Sequence, residues 1–264
     1  MSDVVVSSLF VYPIKSFGGV PLDRSNVGKR GLDFDRRWML VDADGQFMTQ
    51  RTDTRLALFR ITIEEDGLRV RTPSGHETLV PFDPSGDPVS VRVWKDTCEA
   101  IQVSTEVDAW FSKGLHQKCS LVYMPETTLR PTHPNFTEPG DVVGFADAFP
   151  VLVVSEASLE NLNGKLQVPL PINRFRPNIV VKGWEPHQED TFSRLQVGDL
   201  PLRFAKNCGR CSVTTTDQDT GVVGTEPLRT LASYRLNGQA VEFGAYYVPE
   251  ATAQIAVGDV VLVP

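Results

Sequence analysis

Short runs of β-branched and aromatic residues, cut apart by tight turns, dominate the N-terminal part of this chain and set what it can fold into. Val4–Tyr12, Arg37–Val41, Leu58–Ile63, Leu68–Arg71 and Val89–Val93 read as strands. Between several of them stand Asp42-Ala43-Asp44-Gly45, Glu64-Glu65-Asp66-Gly67 and Pro73-Ser74-Gly75. An Asp-Gly step supplies the positive φ that a tight hairpin turn demands. Strands at roughly ten-residue spacing predict antiparallel β-structure, barrel-like or sandwiched. A parallel sheet would need helical crossovers between these runs, and the region offers none.

Helical signals come later and are few. Thr105–Lys113 has Thr105 as N-cap, Val107, Trp110 and Phe111 as an apolar stripe, and Gly114 to end it. Pro125–Asp141, rich in Pro, Thr, His and Asn, reads as a long surface loop of the kind that often serves function. A strand at Phe149–Val154 leads into Ser155, an N-cap followed by Glu156 and by Leu159, Leu162 and Leu166 at helical spacing. Strands are expected again at Ile179–Val181, Asp199–Ala205 and Cys211–Thr215, a short helix at Pro227–Tyr234, and strand–turn–strand around Gly258-Asp259. The fold class is therefore mainly β with a few helices, a β-rich α+β chain.

Composition narrows the function. With 26 Lys+Arg against 33 Asp+Glu the net charge is −7, which argues against a nucleic-acid partner but leaves room for one local basic pocket. No apolar stretch approaches the ~20 residues that span a bilayer, and the first residues lack the basic and apolar regions of a signal peptide. A cytoplasmic protein with no membrane partner is expected.

Four cysteines are too few for a disulfide scaffold, and Cys98 and Cys119 read as buried thiols. Cys208-Gly209-Arg210-Cys211 is sharper. A zinc site usually takes a second ligand pair, and none stands nearby. A thioredoxin-like pair sits between strand and helix, whereas Cys211 leads into the β-branched run Ser212-Val213-Thr214-Thr215-Thr216. One thiolate acting as nucleophile or metal ligand beside Arg210, or two buried thiols, are the other readings.

Cationic segments accompany this motif. In Asn173-Arg174-Phe175-Arg176-Pro177-Asn178 the arginines stand at i and i+2, so on an extended chain both guanidiniums would face one anion. Lys15 follows the first strand in Tyr12-Pro13-Ile14-Lys15-Ser16, and Arg36 stands in Asp35-Arg36-Arg37-Trp38. Either could equally be an ordinary solvated side chain.

Taken in order, these blocks resemble the MOSC-domain proteins, a family that takes in the mitochondrial amidoxime-reducing components and bacterial relatives of the YcbX type. The resemblance rests on Tyr12–Ser16 with Gly19-Val20-Pro21, Asp35–Trp38, Ser155–Leu159 with Asn173–Val180, and Arg210-Cys211 with Thr214-Thr215 and Asp217-Gln218-Asp219-Thr220-Gly221. Glu226-Pro227-Leu228-Arg229-Thr230-Leu231 follows.

The resemblance implies a MOSC N-terminal β-barrel domain over residues 1–120 and a MOSC β-barrel domain over 121–264. It implies a molybdenum cofactor (Mo-molybdopterin) whose metal takes Cys211 as its protein ligand, a fitting partner for dithiolene sulfurs. Lys15, Ser16, Arg36 and Arg176 would then contact the pterin phosphate and edge, with Asp147, Asn173, Arg174 and Asn178 as further cofactor contacts. Ala148 and Phe149 stand where the mitochondrial proteins carry hydroxyl residues, leaving backbone groups to serve there. Cys208 is expected to be structural. The implied reaction is reduction of N-hydroxylated compounds such as amidoximes, hydroxylamines and base analogues. Because no cysteine follows Cys211, no iron–sulfur cluster is expected in the chain, and electrons would come from a separate reductase or ferredoxin-type protein. Sulfur transfer through a Cys211 persulfide and a non-catalytic molybdopterin carrier are the alternatives.

Overall fold

The computed structural model describes residues 4–264, and strands are its dominant element. The N-terminal half carries β1 (Val5–Val11), β2 (Val20–Leu22), β3 (Arg24–Gly28), β4 (Gly31–Leu32), β5 (Trp38–Asp42), β6 (Arg60–Ile63), β7 (Gly67–Arg71), β8 (Glu77–Pro81), β9 (Pro88–Val93) and β10 (Asp96–Gln102). Helix α1 (Thr105–Leu115) then leads to β11 (Cys119–Tyr123). The C-terminal half carries β12 (Val151–Ser155), α2 (Glu156–Asn163), β13 (Ile179–Lys182), β14 (Arg194–Val197) and β15 (Leu200–Gly209). It ends with α3 (Leu228–Ala232), β16 (Leu236–Asn237), β17 (Ala240–Pro249), β18 (Ala253–Ala256) and β19 (Val261–Leu262).

The large sheet runs β19-β14-β15-β17-β12-β13-β1-β2, with β16 attached to β17. Its parallel pair, β12 and β13, is joined through α2, which supplies the crossover such a pair requires. The first strand of the chain thereby extends a sheet built by the C-terminal half, standing between β13 and the edge strand β2, with Leu9 opposite Ile179. β3 and β4 likewise join β18, whereas β5-β11-β10-β9 and β6-β7-β8 are sheets of the N-terminal half alone. One apolar cluster holds Leu9, Phe17, Phe59 and Phe111 together with Ile179, Val197 and Tyr247, so the two halves share a core.

The mainly β class with few helices is what the structure shows, but the expected barrels do not close as ladders. The N-terminal strands divide among separate sheets. In the large sheet the return contact is a single bridge, Val5 to Val260, supported by Val6 N–H to the Asp259 carbonyl at 2.9 Å. The second half of β1 already pairs with β2, so only its first residues remain for that contact. Helix α1 also differs at its ends. Ser104, whose extended backbone (φ −170°) suits a cap, accepts from Val107 N–H at 3.2 Å, and Thr105 is the first helical residue. The helix runs through Gly114 and stops at His116 in the left-handed region, φ +52°.

A chain cut at residue 120 would strip β13 of β1 and the core of its N-terminal members. Residues 121–264 alone are expected to show no cooperative thermal transition by circular dichroism, where the whole chain shows one. A sharp transition in the fragment would mean that the halves fold separately.

Candidate functional site

Segments from both halves enclose a cavity of about 1140 Å³. Eight Lys or Arg side chains line it against two carboxylates, Asp96 and Asp147, a local cationic excess in a chain of net charge −7. Lys15, Ser16, Arg36, Asp147, Arg176, Asn178 and Cys211 all border this space.

Lys15 enters where the chain leaves β1 and meets β5, its N–H donating to the Trp38 carbonyl at 2.8 Å. It is only 5% exposed; Nζ donates to the Phe145 carbonyl at 2.7 Å and pairs with Asp147. Burial lowers the Lys15 pKa, with the Asp147 carboxylate working against the fall. Desolvation works to raise the Asp147 carboxyl in turn, but Lys15 and Arg51 outweigh it and hold that group well below the usual carboxylate range. Asp147 is thus a fixed anion at the cavity wall. Ser16, with φ +70°, follows Lys15, and its carbonyl accepts from Gln50 Nε2 at 2.6 Å.

Arg36 and Arg176 share one ring. Their guanidinium carbons lie 4.2 and 4.1 Å from the Tyr12 ring centroid, and both backbones adopt positive φ, +47° and +56°. Arg36 is tied to both oxygens of the buried Asp35, at 2.8 and 2.7 Å, and its carbonyl accepts from Phe145 N–H at 2.7 Å. That approach requires Gly144, because a Cβ there would stand 2.8 Å from the Arg36 oxygen. Arg176 donates from Nη1 to the Phe17 carbonyl at 2.7 Å, and its pKa is held down to about 10, first by burial and then by Arg36.

Asn173 and Arg174 stand apart from the cavity lining. The chain there is a turn, Ile172–Arg174, so the i and i+2 arginines diverge instead of facing one anion. Arg174 runs behind the cysteine segment, donating to the Thr214 carbonyl at 3.0 Å and the Thr215 carbonyl at 3.3 Å, and pairing with Asp217. Asn178 touches the cavity, but its amide is engaged with the backbone, accepting from Leu152 N–H at 3.1 Å and donating to the Phe10 carbonyl at 3.2 Å. It clamps β12 to β1.

The strand expected at Cys211–Thr215 is instead a 3-10 turn over Ser212–Thr215. Threonine hydroxyls favour the turn over a ladder by bonding back three residues, Thr214 Oγ1 to the Cys211 carbonyl at 2.9 Å and Thr215 Oγ1 to the Ser212 carbonyl at 2.7 Å. The turn lifts Cys211 into the cavity. Of the four cysteines it alone is not buried. Cys208, 1% exposed, accepts from Arg210 Nη1 at 2.8 Å, and the same arginine donates to the Phe175 carbonyl at 2.6 Å.

Sequence reading passed over Arg51 and Trp94. Arg51 Nη2 stands 3.1 Å from Cys211 Sγ and 3.2 Å from Asp147 Oδ2, and its guanidinium lies 4.5 Å from the Trp94 ring centroid. Nothing around Arg51 sets it apart from other arginines. Trp94 did carry a signal: the β9–β10 hairpin turns at Trp94-Lys95, where Asn-Gly or Asp-Gly would be ordinary, and Trp94 sits at φ +56°.

Comparison with known proteins agrees with this organisation. Residues 3–118 match the model of the MOSC N-terminal beta barrel domain, and residues 140–262 match that of the MOSC domain. The chain is 34% identical over 273 residues to mitochondrial amidoxime-reducing component 1 of Homo sapiens, covering 96% of this chain and 81% of that protein. It is 34% identical over 275 residues to mitochondrial amidoxime reducing component 2 of Rattus norvegicus, with the same coverage of 96% and 81%.

Proposed function

The chain belongs to the MOSC-domain family, and from that premise we propose that it is a molybdenum-cofactor-dependent oxidoreductase that reduces N-hydroxylated compounds with electrons from a separate reductase or ferredoxin-type protein. The observation that carries this reading is one accessible thiol, Cys211, facing a cavity lined by eight cationic side chains. The donor set fits such a group: a soft sulfur for the metal, with buried cations for a phosphate ester of ~1.5 to 2 negative charges. Cys211 would hold the metal, and Lys15, Ser16, Arg36 and Arg176 the phosphate and pterin edge. Bound there, the cofactor supplies a centre able to accept an oxygen atom and exchange electrons.

The residues of the chain bind and orient. Lys15 is aimed by the Phe145 carbonyl and Asp147, and Arg36 by Asp35, so both cations are fixed before any ligand arrives. Arg174 braces the turn that presents Cys211. Asp147, kept ionised by Lys15 and Arg51, is an anchor for those cations and not a proton donor. Phe47, Phe136 and Phe149 give the cavity apolar wall against which the carbon frame of a small N-oxygenated substrate can rest.

Expression in a host that makes the cofactor, followed by molybdenum quantification and assay of benzamidoxime reduction with an artificial electron donor, tests this. Expected are about one molybdenum per chain and amidine formation. A persulfide on Cys211 without molybdenum would overturn the reading in favour of sulfur transfer. Bound pterin without turnover would leave a carrier.

A further inference from the structure

We infer that Arg51 is a positioning residue for the metal-ligating sulfur, fixing where Cys211 Sγ points and donating a hydrogen bond to it. This rests on the reading of Cys211 as metal ligand. Arg51 comes from the N-terminal half, far from Cys211 in sequence, yet Nη2 reaches Sγ at 3.1 Å.

Besides the sulfur, two groups hold the guanidinium. Trp94 lies beneath it at 4.5 Å, and Asp147 Oδ2 accepts from the same Nη2 at 3.2 Å. Trp94 Nε1 donates to the other oxygen, Asp147 Oδ1, at 3.2 Å, so arginine, indole and carboxylate brace one another. Phe47 supports the indole at 4.8 Å between centroids. Holding a tryptophan at φ +56° costs backbone energy, and such strain tends to persist where the surroundings over-determine it. This bracing points one cationic donor at one sulfur.

Outer donors to a ligating sulfur tune the metal. A cationic N–H on a thiolate withdraws electron density and stabilises the more negative, reduced state, raising the reduction potential. A planar guanidinium that stacks and donates at once is not replaced by an ammonium.

The test uses the cofactor-loaded whole chain as wild type, Arg51→Gln, Arg51→Lys and Trp94→Ala. Arg69→Gln serves as control, since it removes an equal charge at the remote Arg69–Glu64 pair. The readouts are molybdenum content, the midpoint potential from titration followed by the Mo(V) paramagnetic signal, and steady-state benzamidoxime reduction. Arg51→Gln is expected to keep its molybdenum, move the midpoint to lower potential and lose about tenfold in kcat. Arg51→Lys recovers part of the shift, Trp94→Ala gives a smaller shift of the same sign, and Arg69→Gln none. A loaded Arg51→Gln protein with the wild-type midpoint and signal overturns this inference alone. Loss of molybdenum from both Arg51 variants overturns it in favour of a retention role. Wild-type protein that takes up no molybdenum overturns both this and the function it rests on.

Discussion

Cys211→Ala, expressed beside wild type in the same host, is expected to purify with molybdenum cut to less than about a tenth, because on the proposed function the metal would lose its protein ligand. Benzamidoxime reduction should fall with it. The empty variant should unfold within about 2 °C of empty wild type, since Cys211 is partly exposed and the lost contact is one arginine hydrogen bond. Metal analysis and a thermal scan read the two effects separately. Retained stoichiometric molybdenum would remove Cys211 from the metal. A collapsed transition would show that the residue holds the fold.

Arg176→Gln is expected to separate binding from stability still more sharply. The arginine is buried beside Arg36, and burial first, then that like charge, holds its pKa down to about 10. The displacement from an ordinary arginine corresponds to on the order of 3 kcal/mol against the charged form. Its bond to the Phe17 carbonyl and its contact with Tyr12 work the other way by amounts of similar size. The empty variant should therefore melt within about 4 °C of wild type, while cofactor retention drops at least about tenfold because a cation facing the bound anion is gone. The sign of the pH effect follows. The folded pKa lies below the ordinary value, so the charge that grips an anion is lost as pH rises through about 10, where a solvated arginine would keep it. Cofactor release from wild type should rise across that range, and less steeply from Arg176→Gln, in which Lys15, its pKa also lowered by burial, is the cradle cation that still loses charge. Unchanged retention in the variant would take Arg176 out of the cradle.

Period and turn chemistry were enough to read about half of the strands and the β-rich class, because alternation and Asp-Gly steps are local properties; long strands such as β10 and β17 were passed over. β1 and β13 could each be read as strands, from Val4–Tyr12 and Ile179–Val181, but their pairing could not, since pairing across the length of the chain leaves no local mark. Thr214 and Thr215 misled for a related reason. β-branching favours a strand until the hydroxyls find a carbonyl three residues back, and only the folded backbone decides that. Within the site, Lys15, Arg36, Arg176 and Cys211 were legible through a resemblance that quotes them in order. Arg51 was not, because its role depends on Trp94 and Asp147, which no spacing rule connects to it. The i, i+2 argument for Arg174 and Arg176 assumed extended chain where the backbone turns.

The pairing of β1 with a strand from the far half of the chain bears on how the protein is made. Ser7 bonds to the Val180 carbonyl across 173 residues, so the first strand leaves the ribosome long before the strand it must pair with exists. At about 5–20 residues per second that wait is roughly 10–30 s, during which β2 can cover part of one edge of β1 while the edge that takes β13 stays open. Completion of the sheet, and with it the pocket that Lys15 enters from the end of β1, belongs to the last stage of synthesis. On the proposed function, cofactor loading would therefore be an event of the finished chain, after translation has ended.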